Sequence, residues 1–135
     1  MSTTTVPKTA AVNLTAGQLV AYDNNAGVPG AFLADANGAV ARQHPTGFAN
    51  NTVLAGAPVN VIVAGEQLVP DAYWDVVPAV TDVGANVFMS ATAGNVTMTA
   101  PATAGDVNQK VGIVSIGGAG VSAVNVQIGD GVVIT

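Results

Sequence analysis

The chain has no cysteine, which removes disulfides, thiolate zinc sites and thiol nucleophiles together. Charge is scarce as well: 8% of residues are charged, against about a quarter in ordinary soluble domains. Lys8, Arg42 and Lys110 are the only permanent cations, too few to track a phosphate backbone, so no nucleic-acid partner is expected. No apolar run reaches the ~18 uninterrupted residues of a membrane helix, because Gly, Asn, Thr and Pro interrupt every stretch. The start of the chain, MSTTTVPKTAAVNLTAG, lacks the basic region and apolar core of a secretory signal. A soluble protein with no membrane partner is expected. Exposed helices draw on Leu, Glu, Lys and Arg, yet the chain holds 5 Leu, 2 Lys and 1 Glu beside 24 Val.

What is present points to a β domain. Half the residues are hydrophobic and the net charge is −5, a balance that excludes disorder over most of the length. A chain of 135 residues is the size of one domain and buries a real core. Valine is stiff at χ1 and packs well on a pleated surface. Gly, Pro and Asn-Asn pairs punctuate the chain too often for long helices. Alternation is clearest in Val59-Asn60-Val61-Ile62-Val63 and in Val124-Asn125-Val126-Gln127-Ile128. In the second run Val124, Val126 and Ile128 face inward, with Asn125 and Gln127 outward. Gly129-Asp130-Gly131 reads as a turn into a last strand from Val132 to Thr135. Further strands are expected at 18–23, 31–34, 39–42, 52–54, 86–90, 95–99 and 111–116. Short strands at this spacing predict an all-β fold, a small β-barrel or sandwich.

Two parts of the chain resemble each other. Gly17-Gln18-Leu19-Val20 lines up with Gly84-Ala85-Asn86-Val87, and at the same offset Gly27 meets Gly94, Gly38 meets Gly105 and Val40 meets Val107. After a two-residue slip Gly47-Phe48 meets Gly112-Ile113, and the run from Val59 to Gly65 meets the run from Val124 to Asp130. The expected plan is a single β domain over 13–135, built from similar units at about 13–65 and 80–131. Segment 66–79, which holds Tyr73, Trp74 and two prolines, crosses between the units; its prolines keep it out of a central strand position. Residues 1–12, Ser/Thr-rich with little to bury, form an extended N-terminal arm that orders only on a partner.

Candidate chemistry is thin. His44 is the only histidine; in Arg42-Gln43-His44-Pro45-Thr46-Gly47 it fits a loop residue before a turn, with partner contact as its role. A general base or metal ligand is the competing reading, and it lacks a second histidine or a paired carboxylate. The carboxylates are scattered beside Gly, Asn and Pro as turn formers, and no calcium-loop pattern occurs. Gly117-Gly118-Ala119-Gly120 lacks the Lys-Ser/Thr of a phosphate loop and leads into a strand, so it reads as a hairpin loop. No catalytic residue, cofactor or metal is assigned, and the chain is not expected to be an enzyme. Trp74, beside Tyr73, fits either a core plug or a subunit interface, with an exposed platform as the other reading. Arg42, His44, Tyr73 and Trp74 are the interface candidates.

The run Gly84-Ala85-Asn86-Val87-Phe88-Met89-Ser90, followed by Gly94-Asn95-Val96-Thr97, Ala100-Pro101, Gly105-Asp106 and Gln109-Lys110-Val111-Gly112-Ile113-Val114, resembles a β-module of tailed-bacteriophage virion proteins. Small head decoration (cement) proteins and some fibre proteins carry it. The likeness covers about 80–130, and 13–65 more loosely. It implies a capsid decoration protein on the outer surface of the virion, made in the host cytoplasm. The partners so implied are the major capsid protein and further copies of the chain, a trimer being favoured. The arm then becomes the tether, with Thr3, Thr4, Thr5, Val6, Pro7 and Lys8 as capsid-contact candidates. A fibre or receptor-binding module, touching host surface through 42–47 and Trp74, is the alternative.

Overall fold

The computed structural model describes residues 3–25, 28–129 and 131–134. Met1, Gly27, Asp130 and Thr135, which enter the arm, the repeat alignment, the last turn and the last strand, lie outside the described residues. In chain order the strands are β1 (Thr4–Thr9), β2 (Leu19–Asn25), β3 (Val28–Leu33), β4 (Pro45–Ala49), β5 (Pro58–Leu68), β6 (Asn86–Met89), β7 (Val96–Thr97), β8 (Val107–Asn108), β9 (Lys110–Ile116), β10 (Ala123–Gln127) and β11 (Val132–Val133). Among the described residues nine strands make one sheet that curls into a half-barrel, and β8 with β11 makes a second, small one. The described residues contain 3-10 turns but no α-helix. The all-β expectation holds.

Strand order along the sheet is β3-β2-β4-β5 and then β10-β9-β6-β7, with β1 pairing β5 outside this path. The second half therefore repeats the first in reverse, and the registers repeat with it. Leu19 faces Phe48, Val20 faces Gly47, the ladder slips, and Ala21 faces Pro45. Asn86 faces Ile113, Val87 faces Gly112, the ladder slips, and Phe88 faces Lys110. Turn bonds match too: the Gly17 and Gly84 N–H groups donate to Ala49 and Val114 carbonyls, each at 2.8 Å. Gly47 and Gly112 are needed at their places, because a Cβ on either would strike the backbone carbonyl of the neighbouring strand, at Ile62 and Asn125 respectively.

This geometry revises the repeat at two points. The same glycine contacts place Val61 beside Gly47 and Val124 beside Gly112. Val61 is thus the counterpart of Val124, two residues away from the pairing suggested by the identical Val-Asn-Val runs. Segment 66–79 is also more than a crossing. Ala10 bridges Ala31 in parallel, and Trp74 bridges Val96 in the same way. The Ala11 and Asp75 N–H groups then donate to the Ala31 and Val96 carbonyls, both at 3.0 Å. Trp74 stands in the second unit where Ala10 stands in the first.

The N-terminal arm is a correction. Thr4–Thr9 is not free: it lies antiparallel on β5, from Thr4 opposite Ala64 to Thr9 opposite Pro58. Its extended backbone finds partners in the chain's own sheet, so no outside partner is required to order it. Two expected strands are also absent. Residues 40–43 form a 3-10 turn, and near 52–54 only a bridge between Leu14 and Val53 forms. Strand β4 was hidden because Pro45 and Gly47 read as turn residues.

The core has two parts. Leu19, Ala21, Phe48 and Ile62 join Val87, Met89, Val96, Val114, Val124 and Val126 in a large cluster that includes Trp74. Their immediate neighbours Val20, Ala49 and Val61 point the other way and meet Ala10, Leu14, Ala31 and Val59 in a smaller one. Adjacent residues on opposite sheet faces therefore serve different cores. In β10 Val124 and Val126 are buried, Asn125 is half-buried and Gln127 is exposed, as their alternation predicts.

Candidate functional site

Strand β1 and Thr3 just before it carry the capsid-contact candidates. Thr3, Thr4, Thr5, Pro7 and Lys8 are exposed and Val6 is half-buried. The strand is held mainly by its backbone ladder, so its side chains are left for solvent or a partner. Lys8 is the exception, with its ammonium 4.7 Å from the centre of the Tyr22 ring, a cation–π contact. The Thr9 carbonyl approaches Gly30 so closely that a Cβ there would sit 2.6 Å from it.

Arg42 comes to the same region by another route. The turn at 40–43 lays its guanidinium 4.2 Å from the Phe32 ring centre, and its Nε donates to Asp23 Oδ2 at 3.1 Å. Between β1 and the β2–β3 hairpin lies an open groove of about 520 Å³, lined by Lys8, Thr9, Tyr22, Asp23, Pro29 and Gly30. Burial raises the Tyr22 pKa above its ordinary value, because the phenolate would lose hydration. Among the described residues the Tyr22 hydroxyl has no hydrogen-bond partner. Lys8 and Arg42 thus meet consecutive residues of β2, Tyr22 and Asp23, from opposite faces of the strand. The sequence signal for this was the alternation in β2, which sets Tyr22 and Asp23 on opposite faces of one strand edge and gives no hint of Lys8.

The remaining interface candidates separate. His44 is exposed after the 3-10 turn, while the next residue, Pro45, is buried. Trp74 is 4% exposed and its Nε1 donates to the Val69 carbonyl at 3.1 Å. It is a core residue, which corrects its assignment to an interface: a ring sealed in the large cluster has no face to offer. Tyr73 is half-buried against the same cluster. Asp75 accepts from Ser90 Oγ at 2.6 Å and from Asn95 Nδ2 at 3.2 Å, tying the β6–β7 hairpin to the strand bridge at Trp74. Asp71 Oδ1 accepts from the Gly120 N–H at 2.8 Å, so the glycine loop is braced by a carboxylate. Among the described residues no group of three His, Asp or Glu side chains gathers to hold a metal ion.

One apolar surface was not anticipated. Leu68 and Ile116 both pair with Ala123, one from each side of β10. Both are exposed, at 59% and 39%. Gly117 packs on the backbone of Ala79 and Val80, and Val121 lies over Gly118. Val80 and Val121 are also exposed, which makes an apolar rim at this end of the second unit. Its residues are scattered in sequence, placed by the pairing at Ala123 and by the packing of Gly117 and Gly118.

No family model matches the chain, and no curated protein matches it. Among solved structures, the N base of the head fibre protein gp8.5 of bacteriophage phi29 is similar, with a TM-score of 0.58 at 15% identity. The match covers 93% of this chain and 95% of that one. The chain shares the fold of that head-fibre base across nearly the whole of both molecules.

Proposed function

We propose that this chain is a structural protein of a bacteriophage head, seated on the outer surface of the shell at junctions between capsid subunits and stabilising it. The observation that carries this reading is the shared fold with a head-fibre base over nearly full length. The scarcity of charge and the exposed apolar rim support it, since a subunit that works by burying surface needs contact area. The partners are the major capsid protein and further copies of the chain, a trimer being favoured. The protein belongs to the virion, is made in the host cytoplasm, and has no enzymatic step, cofactor, nucleic-acid or membrane partner. The mechanism is linkage: a protein that binds the assembled shell and not its free subunits stabilises the shell by mass action.

The exposed side chains from Thr3 to Lys8 are the first contact candidates, now presented from a docked strand. His44 and the rim at Leu68, Val80, Ile116 and Val121 are the others. A second reading, the base of a fibre that touches host cells, is favoured by the fibre origin of the similar structure. Particles lacking the protein discriminate the two. Loss of heat stability with normal adsorption is the result expected for decoration; normal heat stability with lost adsorption would replace it with the fibre reading.

A further inference from the structure

The slot that β1 fills on β5 is also present on β10, where a different donor fills it. On β5, Thr5, Val6, Pro7, Lys8 and Thr9 face Ile62, Val61, Asn60, Val59 and Pro58. On β10, Ala64, Gly65, Glu66, Gln67 and Leu68 face Gln127, Val126, Asn125, Val124 and Ala123. The acceptors correspond in order, with Asn60-Val61-Ile62 matching Ala123-Val124-Asn125. In the second slot the donor is the far half of β5, a strand that runs on from the first unit. The fold therefore already accepts a strand from a neighbouring unit at this edge.

Three features make β1 the exchangeable donor. Its burial is slight, since five of its six side chains are exposed. Its anchor is separate: Ala10 is buried, the Ala11 N–H donates to Ala31, and Leu14 bridges Val53. The strand can leave β5 by pivoting near Thr9 while residues 10–14 stay in place. A departed β1 leaves the 58–64 edge of β5 with unpaired backbone groups, which the same strand from a second copy satisfies in the same register. Exchange between copies costs little beyond ordering, because the ladder given up within each molecule forms again between the two.

We infer that β1 is an exchange arm, which pairs with its own β5 in the single molecule and with the β5 of a second copy in the assembled protein. This inference rests on the ladder registers and not on the proposed head role. The absence of cysteine allows a clean test. The Ala10 N–H points to β5, donating to the Ala57 carbonyl. By alternation Pro7 and Asn60 then form a non-hydrogen-bonded pair, whose spacing suits a disulfide. Separately purified Pro7→Cys and Asn60→Cys chains are mixed, warmed and oxidised. A parallel mixture replaces Asn60→Cys with Asn125→Cys, a position in the slot that β5 permanently fills, opposite Glu66. The expected result is a covalent dimer joining the two chains, several-fold more abundant than in the control mixture. Dimer at or below the control level would overturn the exchange, and the double variant Pro7→Cys/Asn60→Cys, which should close within one chain at high dilution, shows that the bond itself can form.

Discussion

The two units share a ladder but close it differently. In the first, a short, mostly exposed strand completes the edge of β5 and Ala10 bridges to β3. In the second, the far half of β5 completes the edge of β10 and Trp74 makes the equivalent bridge. An alanine suffices where the cluster behind it is small, formed by Leu14 with alanines and valines. A tryptophan is needed where both units meet and the space to fill is larger. The repeat thus preserves backbone register while side-chain volume follows position. The first unit ends in a loosely held strand, the second in a continuous one.

The largest effect expected from this difference is at the bridge. Trp74→Ala should cost about 3–5 kcal/mol, as large core truncations do, read as a fall in the denaturant midpoint. Ala10→Gly removes one methyl and should cost about 1 kcal/mol. Equal losses at the two sites would break the account of unequal volumes. Next come the paired glycines: Gly47→Val and Gly112→Val should each destabilise by about 1–3 kcal/mol or more, and by similar amounts because both meet a carbonyl of the next strand. A cost at one and none at the other would contradict equivalent registers.

Deleting residues 2–9 should cost about 2 kcal/mol, a few ladder bonds at roughly 1 kcal/mol net each, and leave the second unit folded. Gly30→Ala crowds the Thr9 carbonyl and should speed hydrogen exchange at Val6 and Lys8, with β10 amides unaffected. The smallest effect is at Tyr22. Its pKa is raised in the folded chain, so the unfolded chain releases that proton first as pH rises. Stability from this group is full below about pH 10 and is lost as pH climbs through the folded value. Tyr22→Phe should flatten that loss, and cost less than about 1 kcal/mol at neutral pH because the hydroxyl has no partner among the described residues.

Much of this was legible in the sequence because strands advertise themselves by alternation and repeats by spacing. The offset from Gly17-Leu19-Val20 to Gly84-Asn86-Val87, and the slip before Gly47 and Gly112, are the offsets of the ladder itself. The failures have physical causes. Ala39-Val40-Ala41 is an apolar run that reads as a strand, but Val40 is 73% exposed and the turn aims Arg42 at Asp23. The arm and the crossing segment share Val6-Pro7 and Val69-Pro70, a signal outweighed by the change from Ala10 to Trp74. The groove at Lys8 and the apolar rim are made by pairings between distant strands, which no local pattern records.

Cosedimentation of purified protein with undecorated mature capsids tests the proposed seat on an assembled shell. The expected result is saturable binding at a fixed copy number per shell, with a raised shell melting temperature and lower occupancy when residues 2–9 are removed. Protein that stays in the supernatant at every concentration, with the shell melting unchanged, would contradict it.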